Sequence, residues 1–245
     1  MRILEGQGVS KYFGGLAAVS DVDFHIDQGE IVGLIGPNGA GKTTLFNLVS
    51  AAFPISSGEI RFKGHKLNGL KPHRICKMGV SRTFQETKVF GNMPVIQNVL
   101  VGAFFGSPKR ISAADAAGEA SRALEFAGLS AMAGHLIQDL TLVNQKRVEV
   151  ARALATRPEL LLLDELMAGL NPTEVSEAME LVTKIRDTGI TIFMVEHVMK
   201  AIMGICERIL VLHHGEKIAE GTPKEIATNK TVIEIYLGEE TRAGN

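Results

Sequence analysis

The amino-acid sequence predicts an α/β fold with a mostly parallel β-sheet, an N-terminal antiparallel β region and an inserted all-helical lobe. Nearly continuous apolar runs are typical of parallel strands covered on both faces, and such runs lie at residues 31–35, 160–163 and 191–195. Shorter strand segments, which suggest an antiparallel edge region, lie at residues 3–9, 22–26 and 59–62. Between about residues 95 and 157 the pattern changes to one helix after another.

Local signals mark several helices. In the run 171–174, Asn171 can cap a helix, Pro172 suits its first turn, and Glu174 can bond back to the cap. Within the helical region, the alanine-rich stretch 112–127 and the stretch 144–156 each predict a helix.

Composition excludes several classes of protein. Lysine and arginine total 26 against 27 acidic residues, so no overall basic field suggests a nucleic-acid partner. Cys76 and Cys206 lie far apart and match neither a disulfide framework nor a zinc spacing. The apolar runs stop well short of the roughly 20 residues of a membrane span. We therefore expect a soluble chain that reaches a membrane only through a partner.

A phosphate-binding loop is the strongest motif. The pattern G-x-x-x-x-G-K-[ST], between a strand and a helix, is matched by Gly36, Pro37, Asn38, Gly39, Ala40, Gly41, Lys42 and Thr43. Glycine lets the backbone curl around an anion, and the helix N-terminus adds a favourable dipole. We expect Lys42 to contact the β- and γ-phosphates, Thr43 to bind Mg²⁺, and Thr44 to make a second phosphate contact. The alternative is a glycine-rich turn that happens to end in Lys-Thr.

Two carboxylates follow a buried strand. Asp164 and Glu165 come directly after the run 160–163, at the strand end where open parallel sheets bind ligands. An aspartate here can hold Mg²⁺, and the following glutamate can polarise the water that attacks a γ-phosphate. A strand that simply ends in solvated acids is the alternative.

Two more polar residues follow predicted strands. Gln85 could reach the metal and the attacking water, and His197 could touch the γ-phosphate. Each alone would more often be an ordinary strand-terminal residue. The order of phosphate loop, glutamine, acidic pair and histidine favours a functional reading.

These motifs, in this order and over nearly the whole chain, resemble the nucleotide-binding subunit of ATP-binding-cassette (ABC) transporters. The resemblance implies a P-loop NTPase core of the ABC type that uses ATP and Mg²⁺. It identifies Gly36–Thr44 as the Walker A loop, Gln85 as the Q-loop glutamine, Asp164 and Glu165 as the Walker B pair, 169–171 as the D-loop and His197 as the switch histidine. Glu165 is then the catalytic base, and Thr43, Gln85 and Asp164 are the metal residues.

The resemblance also implies a domain organisation. Residues 1–245 form a single ATPase domain, in which 1–92 and 157–222 are the core, 93–156 the helical lobe and 223–245 a C-terminal helical tail. Phe13 falls where the family stacks an aromatic ring on adenine, with Tyr12 as the nearby competitor. A buried strand aromatic is the alternative interpretation of Phe13.

The signature motif departs from the family. Where the family carries Leu-Ser-Gly-Gly-Gln, this chain has, after Leu140, the residues Thr141, Leu142, Val143, Asn144 and Gln145. Thr141 can cap the following helix, but Leu142 and Val143 replace glycines that allow close approach to phosphate. In a family dimer each site joins one chain's Walker A loop to the other's signature. Our hypothesis is a competent Walker A loop beside a compromised signature; the alternative is that Thr141 and the helix dipole suffice.

Further segments resemble the ATPase subunits of branched-chain amino-acid importers, among them Arg82–Gln85, Asn98–Gly102 and Val232–Gly238. Urea or amide importers and the lipopolysaccharide-export ATPase share much of this pattern. The resemblance implies a second ATPase subunit, as homo- or heterodimer, membrane permeases and, indirectly, a solute-binding protein. It places the chain on the cytoplasmic face of the inner membrane.

The segment after Gln85, through Phe90 and Met93, would form much of the groove that meets a permease helix. The alternative for its apolar residues is packing against the helical lobe. Two rival classes are a soluble cassette ATPase that acts on DNA or ribosomes, and a kinase or regulator that shares only the phosphate loop.

Overall fold

The computed structural model describes residues 1–85, 88–106 and 111–243 of the chain. Two sheets and a group of helices make up this part. The strands are β1 (Arg2–Phe13), β2 (Leu16–Asp27), β3 (Ile31–Ile35), β4 (Ser57–Phe62), β5 (His65–Lys66), β6 (Val80–Arg82), β7 (Leu160–Asp164), β8 (Thr191–Val195), β9 (Arg208–His213) and β10 (Glu216–Gly221). The helices are α1 (Lys42–Val49), α2 (Pro72–Lys77), α3 (Val95–Gly106), α4 (Ala113–Phe126), α5 (Leu142–Leu154), α6 (Pro172–Asp187), α7 (Met199–Ile205), α8 (Pro223–Thr228) and α9 (Lys230–Ala243).

The larger sheet has the strand order β10-β9-β3-β8-β7-β6. Adjacent strands of this sheet pair in parallel, except β9 and β10, which form an antiparallel hairpin at one edge of the sheet. Every residue of β3, β7 and β8 is buried, as their continuous apolar sequences predict. The predicted mostly parallel sheet is confirmed.

The smaller sheet has the order β2-β1-β4-β5 and is antiparallel throughout. It confirms the predicted N-terminal β region, with longer strands than expected because the hairpin of β1 and β2 continues to the turn at Gly14 and Gly15. Strands β9 and β10 were not predicted from the sequence. Their signal was the apolar run 209–212 followed by a turn that contains Gly215.

Between β6 and β7 the described chain is helical, with α3, α4 and α5 around a hydrophobic cluster of their own. Helix α5 also contributes Val150 and Ala153 to the cluster on one face of the larger sheet. It begins at Leu142, two residues before the predicted start, because Thr141 rather than a later residue adopts the extended N-cap conformation.

The capping box predicted at Asn171 is present: its side chain accepts from the amides of Thr173 and Glu174, and Glu174 accepts from the amide of Asn171. In the predicted tail, α8 and α9 extend to residue 243, while Gly244 and Asn245 lie outside the described residues. The domain boundaries drawn from the sequence stay a prediction. No helix within the described ranges has both the length and the apolar character needed to cross a bilayer.

Candidate functional site: a phosphate loop facing two carboxylates

The loop between β3 and α1 needs glycine at two positions. Gly36 and Gly41 have φ values of 152° and 102°, which lie in the region that favours glycine. A Cβ at Gly36 would lie 2.2 Å from the carbonyl oxygen of Leu212, and one at Gly41 would lie 2.4 Å from that of Ala18. The loop is therefore wedged between β9 and β2, and a larger residue at either position would displace it.

Lys42 lies inside this loop. Its Nζ donates to the carbonyl oxygens of Gly36 at 2.6 Å and Pro37 at 2.9 Å. The first turn of α1 holds no acidic residue, so the partial positive charge at the helix N-terminus is not neutralised there. Thr43 is exposed and Thr44 half-buried. This arrangement suits an anion at the start of α1.

A cavity of about 360 Å³ opens on the phosphate loop. Its lining brings together most of the predicted site, namely Asn38, Gly39, Ala40, Gly41, Lys42, Thr43, Thr44, Gln85, Glu165 and His197. Four further lining residues were not predicted: Leu16, Ala17, Ala18 and His214. Residues 16–18 begin β2, and His214 lies in the turn between β9 and β10. Only the tertiary fold brings these residues to the phosphate loop. Gly36, Pro37, Asp164 and Phe13 do not line this cavity.

The carboxylate of Glu165 is held from both sides. Its Oε1 lies 2.9 Å from Nε2 of His197, and its Oε2 accepts from Nε2 of Gln85 at 3.0 Å. The backbone of Glu165 has φ +50°, which is uncommon for a non-glycine residue and costs conformational energy. Two residues that follow different strands, Gln85 and His197, therefore converge on the carboxylate of Glu165 at the cavity wall.

Asp164 lies behind this carboxylate and is buried. One oxygen, Oδ2, accepts from the guanidinium of Arg82 at 2.6 Å, while Oδ1 has no hydrogen-bond partner among the described residues. Burial raises the pKa of Asp164, and Arg82 opposes the shift. An unpartnered buried carboxylate oxygen beside the phosphate loop fits a hard cation such as Mg²⁺.

Arg82 is a site residue that was not predicted from the sequence. Besides Asp164, it donates to Oδ1 of Asn47 at 2.6 Å and to Oγ of Ser50 at 3.1 Å, both on or just after α1. Its guanidinium also lies over the rings of Phe46 and Phe84. The available signal was a charged residue, Arg82, near the end of a predicted strand, three residues before Gln85.

Glu196 was also missed. It is 2% exposed, and its Oε1 accepts from the amide of Met167 at 2.8 Å, in the segment after Glu165. Burial raises the pKa of Glu196 to about 7, against the lowering effects of the Met167 amide and of Lys146. The signal was a charged residue directly after a fully apolar strand and directly before His197.

Phe13, which the resemblance sets against adenine, is the last residue of β1. Phe13 is 45% exposed and Tyr12 47%, so the interpretation of Phe13 as a buried strand aromatic is wrong. The ring of Phe13 packs edge-on against Phe53 with 5.4 Å between centroids, and the ammonium of Lys11 lies 5.0 Å from it. Its role toward adenine stays a prediction.

The altered signature lies at the start of α5. Thr141 occupies the N-cap position but its side chain makes no capping hydrogen bond, contrary to the predicted role of its hydroxyl. Leu142 is 47% exposed and packs near the D-loop, since a Cβ at Gly169 would lie 3.4 Å from its Cδ2. Val143 and Asn144 are half-buried, and Gln145 donates from Nε2 to the carbonyl oxygen of Leu140 at 3.0 Å.

Family models match the chain in two places. The model described as "ABC transporter" matches residues 19–168, and the model described as "Branched-chain amino acid ATP-binding cassette transporter" matches residues 216–241. Together with the phosphate loop and the sheet order, the first match shows that the chain belongs to the ABC transporter ATPase family.

One similar relative is the high-affinity branched-chain amino acid transport ATP-binding protein LivG of Salmonella typhimurium. It is 42% identical over 250 residues, which cover 97% of this chain and 98% of the relative. A solved nucleotide-free ATP-binding cassette superposes with a TM-score of 0.88 at 28% identity, over 96% of this chain and 99% of that chain. A second solved structure, a dimeric post-hydrolysis cassette bound to ADP and phosphate, superposes with a TM-score of 0.81 at 27% identity. The match covers 90% of this chain and 98% of that chain.

The raised pKa of Glu196 predicts a pH-dependent stability. The folded state keeps this proton to about pH 7 while the unfolded state releases it near 4.5, so Glu196 costs increasing stability as pH rises between these values. We expect Glu196→Gln to match the wild type at pH 4.5 and to exceed it at pH 8 by on the order of 1–3 kcal/mol. Urea denaturation at both pH values measures this difference.

The matched control is Glu180→Gln, which changes an exposed residue on α6. We expect its free energy of unfolding to differ little from that of the wild type, by the same amount at both pH values. A stability difference for Glu196→Gln that is the same at pH 4.5 and pH 8 would contradict the assignment.

Proposed function

We propose that this chain binds ATP with Mg²⁺, hydrolyses the γ-phosphate, and thereby powers a transporter that imports branched-chain amino acids. The observation that carries the ATPase proposal is the carboxylate of Glu165, held by Gln85 and His197 in the cavity of the phosphate loop. Membership of the ABC transporter family supports the same reaction.

The proposed phosphate contacts come from the loop and the start of α1. The backbone N–H groups of residues 36–41 and the ammonium of Lys42 bind the β- and γ-phosphates, and Thr44 adds a hydroxyl. For the metal, Thr43, Gln85 and Asp164 are the proposed ligands, directly or through water, and the buried, unpartnered Oδ1 of Asp164 supports this proposal. When bound, Mg²⁺ supplies charge stabilisation for the transferring phosphoryl group.

Glu165 is the proposed general base. With one oxygen bonded to Gln85, its carboxylate orients a water for attack on the γ-phosphate and accepts that water's proton. His197 contacts the γ-phosphate in this proposal, so its bond to Glu165 has to open when the nucleotide enters. Tight closure of the second subunit excludes bulk water from this step.

The proposed assembly is a dimer of ATPase subunits beneath membrane permeases, on the cytoplasmic face of the inner membrane. ATP binding clamps the two subunits and moves the permeases, and hydrolysis reopens the dimer. A similar solved cassette is dimeric, which supports the first part. No nucleic-acid partner is proposed, because the net charge of the chain is −1.

A second, apolar cavity of about 520 Å³ supports contact with a permease helix. It lies between α2, β6 and α3, and exposed rings of Phe84, Phe90 and Phe105 line it. Glu86 and Thr87, which belong to the segment predicted to meet the permease, lie outside the described residues, and Met93 is half-buried. We propose that this cavity receives the permease helix.

The proposed cargo follows from the relatives. LivG is a branched-chain amino acid transport protein by name, and the model that matches residues 216–241 has the same cargo in its description. We propose a solute-binding protein as an indirect partner, because importers receive substrate outside the membrane.

The proposed catalytic base is tested by Glu165→Gln. We expect turnover to fall by on the order of 10²-fold or more, because the amide cannot accept the water's proton, while ATP-induced dimerisation persists. Phosphate release and size-exclusion chromatography measure the two properties, and the exposed Glu180→Gln is the control with wild-type turnover. Normal turnover of Glu165→Gln would remove the residue from its role.

The altered signature predicts a gain of activity. Because Leu142 and Val143 replace residues that permit close approach to phosphate, the double variant Leu142→Gly and Val143→Gly should raise the ATPase rate of the assembled transporter severalfold. The matched double alanine variant trims the same side chains without glycine's backbone freedom, so it should gain less. An unchanged rate in the glycine variant would count against a compromised signature.

The cargo is tested with the complex purified from detergent-solubilised membranes and reconstituted in vesicles with its binding protein. We expect ATP-dependent uptake of leucine, isoleucine or valine and none of urea, which serves as the control solute. Recovery of this chain with lipopolysaccharide-export components instead, or uptake of urea alone, would overturn the amino-acid proposal.

A further inference from the structure

Lys146 is a buried cation in the first half of α5. It is 7% exposed, and its Nζ donates to the carbonyl oxygens of Glu165 at 3.1 Å, Leu166 at 2.9 Å and Ala168 at 2.7 Å. An ammonium has three N–H donors, so these three backbone acceptors use all of them. The side chain thus ties α5 to the segment that carries the proposed base and leads into the D-loop.

The acceptors of Lys146 are unusual for a buried cation. They are neutral carbonyl groups, whereas a buried lysine is normally paired with a carboxylate. Burial lowers the pKa of Lys146, and the carboxylates of Glu196, Glu149 and Glu165 oppose this shift. The chain keeps a charge in the interior where an apolar side chain would cost less, which points to a role beyond packing.

The backbone that Lys146 contacts is strained at Glu165, the residue whose carboxylate has to point into the cavity. Glu165 has φ +50°, a conformation that persists only where the surroundings fix it. Its carbonyl oxygen accepts from Lys146 and from the amide of Ala168 at 3.2 Å, and its own amide donates to Val195 at 2.9 Å. Met167, between them, is held by Glu196. Lys146 is the member of this set that comes from the helical region.

We infer that Lys146 is a positioning residue for hydrolysis, because its contacts to residues 165–168 fix the backbone turn that aims the Glu165 carboxylate into the nucleotide cavity. This inference rests on the proposed role of Glu165 as the base. Lys146 does not itself line the cavity, and its ammonium hydrogen-bonds to Glu165 at the backbone carbonyl oxygen, so it acts through the backbone of Glu165.

The position of Lys146 on α5 gives this contact a second consequence. The same helix begins at Leu142, within the altered signature, and Lys146 lies about one turn later. In the proposed dimer that helix end faces the nucleotide of the opposite subunit. The three contacts of Lys146 therefore connect the helix that begins in the signature directly to the backbone of the proposed base.

The test begins with Lys146→Met in the full chain. Methionine keeps an unbranched apolar stem one atom shorter than that of lysine but removes the charge and all three donors. We expect kcat to fall about tenfold, since small misplacement of a catalytic group is costly, while KM for ATP and the affinity for a fluorescent ATP analogue stay within about twofold. Lys146→Arg should recover part of the loss, because it restores a cation with N–H donors.

The control for this substitution is Lys184→Met, which changes an exposed lysine on α6 and should leave kcat and KM unchanged. A purely structural role of Lys146 predicts a different result. Nucleotide affinity and the thermal unfolding midpoint would then fall together with kcat, and arginine would rescue stability without rescuing kcat.

A double-mutant cycle separates this inference from the proposed function. In the Glu165→Gln background, Lys146→Met should lower the residual rate far less than in the wild type, since the carboxylate it positions is gone. Equal factors in both backgrounds would overturn the inference. If Glu165→Gln is inactive and Lys146→Met has wild-type kcat, the inference alone fails; if Glu165→Gln is fully active, the proposed base fails.

Should Lys146→Met not fold, Lys146→Gln decides by the same measurements. Its neutral amide is shorter and has two N–H donors, so it cannot serve three carbonyl groups. We expect a lower kcat with wild-type nucleotide affinity, and a wild-type kcat would overturn the inference.

Discussion

The parallel pairing of β7 between β6 and β8 is the constraint on which the site depends. Asp164, the last residue of β7, lies opposite Val195 of β8, and the amide of Thr83, just after β6, donates to Leu162. The carboxyl ends of β6, β7 and β8 therefore lie side by side. The carboxyl end of β3, where the phosphate loop begins, lies along the same side of the sheet. A shift of one residue in this register would turn Asp164, the last residue of β7, toward the opposite face of the sheet.

The ion pair of Arg82 and Asp164 fixes the phosphate-loop helix to this edge. Both side chains are nearly inaccessible, so their desolvation is costly and has to be offset by good geometry. Arg82 offsets part of this cost with hydrogen bonds to Asn47 and Ser50 as well as Asp164, while its Nε has no partner among the described residues. Because one oxygen of Asp164 is used by Arg82, the other is directed by the same contact. A single buried cation thus sets the distance between α1 and the carboxylate.

The sequence predicted what local patterns encode. The apolar runs, the glycine-rich loop and the capping box at Asn171 are properties of short segments, and the structure has each of them. The contacts of Arg82, Lys146 and Glu196 were missed because each joins segments far apart in sequence, and a lone charged residue does not reveal its partner. Thr141 shows the opposite limit: its sequence position suits a cap, yet its hydroxyl makes no capping bond. The capping bond depends on side-chain orientation, which the spacing does not specify.

Helix α5 belongs to two hydrophobic clusters, and this dual packing bears on the altered signature. Val148 and Ala151 pack in the lobe, while Val150 and Ala153 pack against the sheet. The helix is therefore held even without signature glycines, and its first turn contains no acidic residue to oppose an anion. In the proposed dimer, attraction between this helix end and a phosphate bound to the partner would be retained. Close backbone approach would not be retained, because Leu142 and Val143 carry side chains where the family signature has glycine. The change from glycine to Leu142 and Val143 thus affects two interactions with a phosphate differently. The long-range attraction to the helix end does not depend on glycine, whereas the short-range backbone contact does.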